Sequence, residues 1–251
     1  MAFIQAHIFS STLGRGASVN VIKPQKGQPK KILWLLHGAS DDYSIWHRRT
    51  SIERYADDYG IAVVMPDVEI SKYLNLAHGG RFYDYIAKEL PAVMHNFFGF
   101  SLRREDNMIC GLSMGGEGAL KIGLANPEKY SVIGCLSAGM QNMPLPEDTK
   151  AIDHDSNPYL YMIFDGVEVT GSVQDMEGSV KRILAENLPV PRVYHAIGSD
   201  DFLLKAAHRA KELFESIEGN PFDYSYTEDA GAHTWSYWDD HIRSFLAYAM
   251  Q

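Results

Sequence analysis

Short apolar runs limit the folds open to this chain. Residues 31–36, KILWLL, form a continuous apolar run that stops at His37-Gly38, and residues 61–66, IAVVMP, repeat the pattern. Runs of this kind mark strands buried on both faces, as in parallel sheets. Segments 106–110, 131–137, 192–197 and 222–228 also read as strands. Between them lie helical patterns at 50–58, 82–98, 114–125, 173–187, 202–217 and 235–249. In 82–98 the apolar stripe is Phe82, Tyr85, Ile86, Leu90, Val93, Met94 and Phe97, with Pro91 expected to kink or restart the helix. Thr50 or Ser51 is placed to cap the first helix, and Ser172 the one at 173–187. Strand and helix alternate from residue 31 onward, which argues for a mostly parallel central sheet with helices on both faces. Residues 2–9 and 16–23, joined at Gly14-Arg15-Gly16, add an N-terminal antiparallel hairpin at one edge. No linker or internal repeat interrupts the pattern, so residues 1–251 read as a single α/β domain.

Composition narrows the partners. The formal net charge is −9, and an acidic chain repels phosphate backbones unless it carries a basic patch. The basic clusters, Lys23 to Lys31 and Arg103-Arg104, read as solvated loop charge, so nucleic acid is not an expected partner. No apolar window approaches a membrane span, and the N-terminus lacks the basic and apolar regions of a signal peptide. Cys110 and Cys135 fall in expected strands and read as reduced core thiols. These features give a cytoplasmic expectation, and a homo-oligomer is compatible with it.

The chemistry centres on GLSMGG, residues 111–116. Ser113 sits between an expected strand and an expected helix, with Gly111 and Gly115 two positions to either side. A tight strand-to-helix turn forces the central residue into a strained backbone and leaves no room for side chains at those two places. The helix start adds free N–H groups and partial positive charge beside the hydroxyl. Ligands bind beyond the carboxyl ends of parallel strands, and Ser113 falls at such an end.

A serine hydroxyl needs a base, and the base needs an acid to orient it. In an α/β-hydrolase fold the chain order is Ser, then Asp or Glu, then His. Asp200 and Asp201 follow strand 192–197, and His233 follows strand 222–228. The order therefore holds, with all three sites at one edge of the sheet. Two N–H donors for an oxyanion are expected from Met114, after the nucleophile, and Ala39, in the loop that follows His37-Gly38. The other histidines are isolated, and Asp153-His154-Asp155 reads as a solvated loop rather than a metal site.

These stretches resemble the esterase D group of α/β-hydrolases, and within it the bacterial tributyrin esterases. The resemblance is carried by LWLLHGASDDYSIW (33–46), RFYDYIAKELPAVMHNFF (81–98), GLSMGGEGALKIGL (111–124), GSDDFL (198–203) and GAHTWSYW (231–238). The group includes S-formylglutathione hydrolases, feruloyl and acetylxylan esterases, and mycolyl transferases. The resemblance implies hydrolysis of carboxylic esters with small acyl groups, without a cofactor or metal. Its pattern of Gly, two residues, Asp and Phe points to Asp201 rather than Asp200 as the acid. Trp46, Phe202 and Trp235 flank the motifs and are expected to line the substrate pocket. Segment 139–172 matches the group poorly. Its Met140, Met143, Tyr159, Tyr161, Met162 and Phe164 make either a local packing layer or a short cap over the acyl group. So short a cover favours C2–C4 acyl chains. A thioester hydrolase or acyltransferase would use the same triad, and a non-catalytic binding module on this scaffold is the remote alternative.

Overall fold

A computed structural model describes residues 1–140 and 152–251. Among the described residues eight strands form one sheet in the order β1-β2-β4-β3-β5-β6-β7-β8. They are β1 Ala2–Ser10, β2 Arg15–Lys23, β3 Ile32–Leu36, β4 Ala62–Pro66, β5 Asn107–Leu112, β6 Val132–Leu136, β7 Arg192–Gly198 and β8 Ser225–Asp229. The β1–β2 hairpin runs antiparallel, β2 joins β4 antiparallel, and every pair from β4 to β8 is parallel. The alternating pattern predicts this mostly parallel sheet with its antiparallel hairpin, and the arrangement is the α/β-hydrolase fold that the resemblance implies.

The alternation of side chains along each strand sorts the core into two layers. Trp34 and Leu36 of β3 join Ile109, Tyr85 and Met94 on one face. Leu33 and Leu35 join Met108, Phe245 and Leu246 on the other. Cys135 belongs to the first layer and Cys110 to the second, so the two free thiols stand on opposite faces of the sheet.

Among the described residues the α-helices are α1 Ile45–Arg49, α2 Ile52–Tyr59, α3 Phe82–Asp84, α4 Leu90–Phe98, α5 Met114–Ala125, α6 Pro158–Phe164, α7 Met176–Ala185, α8 Leu204–Glu215 and α9 Trp235–Ala249. A π turn, Tyr85–Glu89, separates α3 from α4. Pro91 lies in the first turn of α4, where it offers no N–H to the Ala87 carbonyl. That carbonyl accepts from the Lys129 ammonium instead, at 2.9 Å.

Several boundaries depart from the sequence expectation. α1 and α6 arise in stretches to which the sequence pattern assigns no helix. Asn157 starts α6 by accepting the Leu160 N–H at 3.1 Å, with Pro158 in the first turn. α7 begins at Met176, capped by Asp175, which accepts the Gly178 N–H at 2.7 Å. Ser172 is not that cap; its hydroxyl donates to the Val169 carbonyl at 2.6 Å. Ser51 occupies the cap position of α2 without a side-chain capping bond. Met143 lies outside the described residues.

His195 of β7 is buried between two partners. One ring nitrogen meets the Ala138 carbonyl at 2.9 Å, so it must carry the proton; the other accepts from the Tyr224 hydroxyl at 2.7 Å. Burial is the largest influence and pushes its pKa down to about 4. The unfolded chain therefore takes up this proton first as the pH falls below about 6.5. Stability should decline from there to about pH 4, measured as thermal midpoint against pH. His195→Gln should flatten that decline, and an unchanged slope would remove His195 as its source.

Candidate active site

The register of the parallel strands brings their carboxyl ends level. Leu36 pairs with Gly111, Leu112 with Leu136, Leu136 with Ala196, and Gly198 with Asp229. The loops that follow β3, β5, β7 and β8 carry Ala39, Ser113, Asp201 and His233. Residues far apart in the chain thus leave the sheet along one rim.

Ser113 is the one partly exposed residue in the run from Asn107 to Leu124. Its backbone is strained, at φ 51° and ψ −121°, a conformation that costs on the order of 1–3 kcal/mol. Two hydrogen bonds hold it there. Its N–H donates to the Leu136 carbonyl of the neighbouring β6 at 2.9 Å, and its carbonyl accepts from the Glu117 N–H at 3.0 Å. The flanking glycines answer to space. A Cβ on Gly111 would lie 2.4 Å from the Gly115 carbonyl carbon, and one on Gly115 would lie 2.4 Å from the Leu36 oxygen and 2.6 Å from the His37 oxygen. The Met114 N–H opens the helix and has no acceptor one turn back within it.

The loop after β3 is held from behind. His37 is buried, and one ring nitrogen accepts the Val68 N–H at 3.1 Å. Its proton therefore sits on Nδ1, which donates to the Gly38 carbonyl at 2.8 Å. The same carbonyl accepts the Asp41 N–H at 3.3 Å, closing a turn in which Ser40 has φ 67°. The Tyr73 hydroxyl donates to the His37 carbonyl at 2.9 Å. Burial lowers the His37 pKa against the opposing bond to Gly38 and the nearby aspartates, so the ring is held neutral.

His233 and Asp201 come together. His233 Nδ1 lies 2.9 and 3.0 Å from the two Asp201 carboxylate oxygens. The Asp201 side chain is fully buried and that of His233 is 18% exposed. Burial alone would raise the Asp201 pKa; the bonds from His233 and the Leu203 N–H, with the Ser137 side chain nearby, outweigh it and hold the carboxyl below its ordinary value. An ionised Asp201 only accepts, so His233 carries its proton on Nδ1 and keeps a lone pair on Nε2. The two loops are zipped by backbone bonds, Ser199 N–H to Asp229 and Asp200 N–H to Gly231, at 2.8 and 2.9 Å. Gly198 makes this possible, since a Cβ there would lie 2.3 Å from the Gly231 carbonyl. Asp200 is exposed and is not bonded to His233 among the described residues.

Aromatic rings surround the imidazole. Phe202, 74% exposed, lies 4.4 Å from it between ring centroids, and Trp238 meets it edge-on at 4.9 Å. Trp235 is half-buried and stacks edge-on with Trp238 and Trp46. Trp46, expected at the pocket, is instead buried at 1% exposure. Its indole N–H donates to the Leu36 carbonyl at 3.0 Å, bracing the end of β3. The sequence reading also passed over the His37 side chain and Gly198. The His-Gly and Gly-Ser-Asp-Asp steps mark both places, but nothing in their spacing announces the contacts. Among the described residues no group of three or more His, Cys, Asp or Glu is arranged to hold a metal ion.

A strained serine at a strand-to-helix turn on this sheet is the mark of α/β-hydrolase serine enzymes. The chain belongs to the Esterase family, which it matches over residues 10–248. It is 29% identical to an acetyl esterase of Caldicellulosiruptor saccharolyticus, over 96% of each chain. A fluorophosphonate-binding serine hydrolase of Staphylococcus aureus is 31% identical, with TM-score 0.86, over 100% of this chain and 98% of that one. An S-formylglutathione hydrolase of the same organism is 30% identical, with TM-score 0.82, over 100% and 99%. The chain is therefore an esterase-type serine hydrolase.

The contact between Gly115 and the end of β3 is testable. Gly115→Ala should destabilise the fold by roughly 1–3 kcal/mol, the range for overpacking against backbone. A Cβ on Gly16 meets nothing within 4 Å, so Gly16→Ala should stay within about 0.5 kcal/mol. Urea unfolding of both variants checks the contrast, and equal midpoints would discount the contact.

Proposed function

We propose that the chain hydrolyses short-chain acyl esters through Ser113, His233 and Asp201. The observation that carries this reading is the His233–Asp201 pair at 2.9 Å, on the same sheet rim as the strained Ser113. In this mechanism His233 Nε2 takes the Ser113 proton as the hydroxyl attacks the ester carbonyl. Asp201 keeps the imidazole in the required tautomer and stabilises its cation. The tetrahedral intermediate collapses, His233 returns the proton to the leaving alcohol, and an acyl-enzyme remains. Water, deprotonated by His233, then releases the acid. The alcohol leaves with the Ser113 proton, and the proton that His233 takes from water goes back to Ser113, so the cycle closes without a cofactor.

The Met114 and Ala39 N–H groups are the proposed oxyanion donors. The Gly38 carbonyl and the Ala39 N–H belong to one trans peptide group and point in opposite directions. By holding that carbonyl, His37 and the Asp41 N–H aim the Ala39 N–H the other way. His37 is thus a positioning residue for the oxyanion site.

The short-chain preference is supported by the acetyl esterase relative and by the described part of segment 139–172. There Ile163 and Phe164 are buried against Leu74, with Tyr159, Leu160 and Met162 beside them. The Ala77 and His78 N–H groups bond to the Ile163 and Met162 carbonyls, at 3.3 and 3.0 Å, which fixes this short helix against the loop after β4. The S-formylglutathione hydrolase relative favours a second reading, a thioesterase using the same residues.

Hydrolysis rates on 4-nitrophenyl acetate, butyrate and palmitate, alongside S-formylglutathione, test these readings. Acetate or butyrate should lead, and palmitate should be turned over poorly. Ser113→Ala should lose nearly all turnover and should not be labelled by an organophosphate, while keeping the wild-type thermal midpoint. Wild-type activity in that variant would end the proposal. His37→Asn should lower kcat roughly tenfold or more with a smaller change in KM, because an oxyanion donor is worth about 3 kcal/mol in the transition state. A change confined to KM would remove His37 from this role.

A further inference from the structure

The turn that carries the Ala39 N–H also carries a carboxylate. Asp41 closes that turn through its own N–H, and its side chain folds back onto Gly38. A Cβ built on Gly38 would lie 3.1 Å from Asp41 Oδ2 and 3.6 Å from Ser113 Cβ. The carboxylate and the serine side chain therefore lie on the same side of Gly38.

Asp41 differs from its neighbour in how its charge is answered. Asp42 accepts from the Ser44 N–H at 2.8 Å and the Ser44 hydroxyl at 2.5 Å, and has Arg48 at 3.8 Å. Among the described residues no cation lies within 4.0 Å of the Asp41 carboxylate. Asp41 is half-buried, and burial is the main cause that pushes its pKa up; Asp42 adds to this, against the pull of His37, Arg48 and Arg49. Asp67 places a further carboxylate 3.7 Å from the His37 ring. The ammonium groups of Lys72 and Lys121 lie 3.5 and 2.8 Å from Glu117, whose single carboxylate offsets one of the two charges.

We propose that Asp41 determines specificity by charge: its carboxylate disfavours acyl groups that bear a negative charge of their own. The enzyme is thereby restricted to esters of uncharged short acids. This rests on the esterase reading and narrows its substrate class. Two unit charges some 7 Å apart, at an effective dielectric between protein and water, change a rate constant by roughly tenfold. The site is partly open to solvent, so salt should weaken the effect.

Ethyl butyrate and monoethyl succinate form the test pair, since they present acyl chains of similar length and differ in charge. Proton release at pH 8, where Asp41 is ionised, gives kcat/KM for wild type, Asp41→Asn and Asp41→Glu. Wild type should prefer ethyl butyrate. Asp41→Asn should narrow that preference about tenfold, mainly through faster succinate turnover, and Asp41→Glu should retain it. Raising NaCl from about 20 mM to about 0.5 M should narrow the wild-type ratio and leave the Asn variant flat. An unchanged ratio in Asp41→Asn, or a wild-type preference for the monoester, overturns the inference. If the Asn variant does not fold, the wild-type salt series decides, and a salt-independent ratio overturns it. No turnover of ethyl butyrate by wild type overturns the esterase reading and this inference with it. Turnover with an unchanged ratio overturns only the role of Asp41.

Discussion

Close backbone contact between the first turn of α5 and the end of β3 underlies the rest of the site. Gly115 sits where any side chain would strike the Leu36 and His37 carbonyls. This lets the helix start press against the strand end, and the sharp turn at Ser113 follows from that approach. The turn is strained, and strain of this kind persists only where surrounding bonds over-determine it. Here the ladder bond to Leu136 and the first helical bond from Glu117 do so. The same contact sets the distance between the serine and the loop that starts at His37. The proposed nucleophile and oxyanion donors are thus placed by one steric condition.

The electrostatics are arranged to keep that loop still without adding charge. His37 and His195 are both buried and both have lowered pKa values, with burial the leading cause in each. Each ring acts as one donor and one acceptor, a bonding pattern that only the neutral imidazole supplies. A charged histidine at 37 would lose its bond from the Val68 N–H. His233 differs, since its partner is the ionised Asp201 and its ring reaches solvent. The three histidines illustrate how burial and partner chemistry, rather than residue type, divide structural rings from the one proposed to carry a proton.

Much of this was legible in the sequence because it depends on local pattern. The apolar runs at 31–36 and 61–66 became strands buried on both faces, and the Gly-x-Ser-x-Gly spacing became a tight turn at Ser113. What stayed hidden depends on neighbours distant in the chain. Glu117 and Lys121, four residues apart, look like an exposed helical ion pair. Both are fully buried, because α5 is covered from Met114 to Leu124. Their charged atoms lie 2.8 Å apart. Trp46 flanks a motif and so suggested a pocket wall, yet its indole is spent on the Leu36 carbonyl. The helix at Pro158–Phe164 is short, and its Asn-Pro start is as common in turns as in helices.

β6 carries none of the proposed catalytic residues, yet it joins the two halves of the site. On one side the Ser113 N–H bonds to the Leu136 carbonyl; on the other the Ser137 N–H bonds to the Ala196 carbonyl, at 2.8 Å. Ser137 itself takes a left-handed φ of 48°, and the Ala138 carbonyl after it is pinned by His195. The elbow half is fixed by contacts to β3, and the Asp201–His233 half by the zipped loops after β7 and β8. Within each half the packing is backbone against backbone, so little relative movement is allowed. The spacing between halves is then one strand width on either side of β6, close to 4.8 Å each in a parallel sheet. The proposed proton path from serine to histidine needs that spacing to be constant, and β6, a central strand buried on both faces, supplies it.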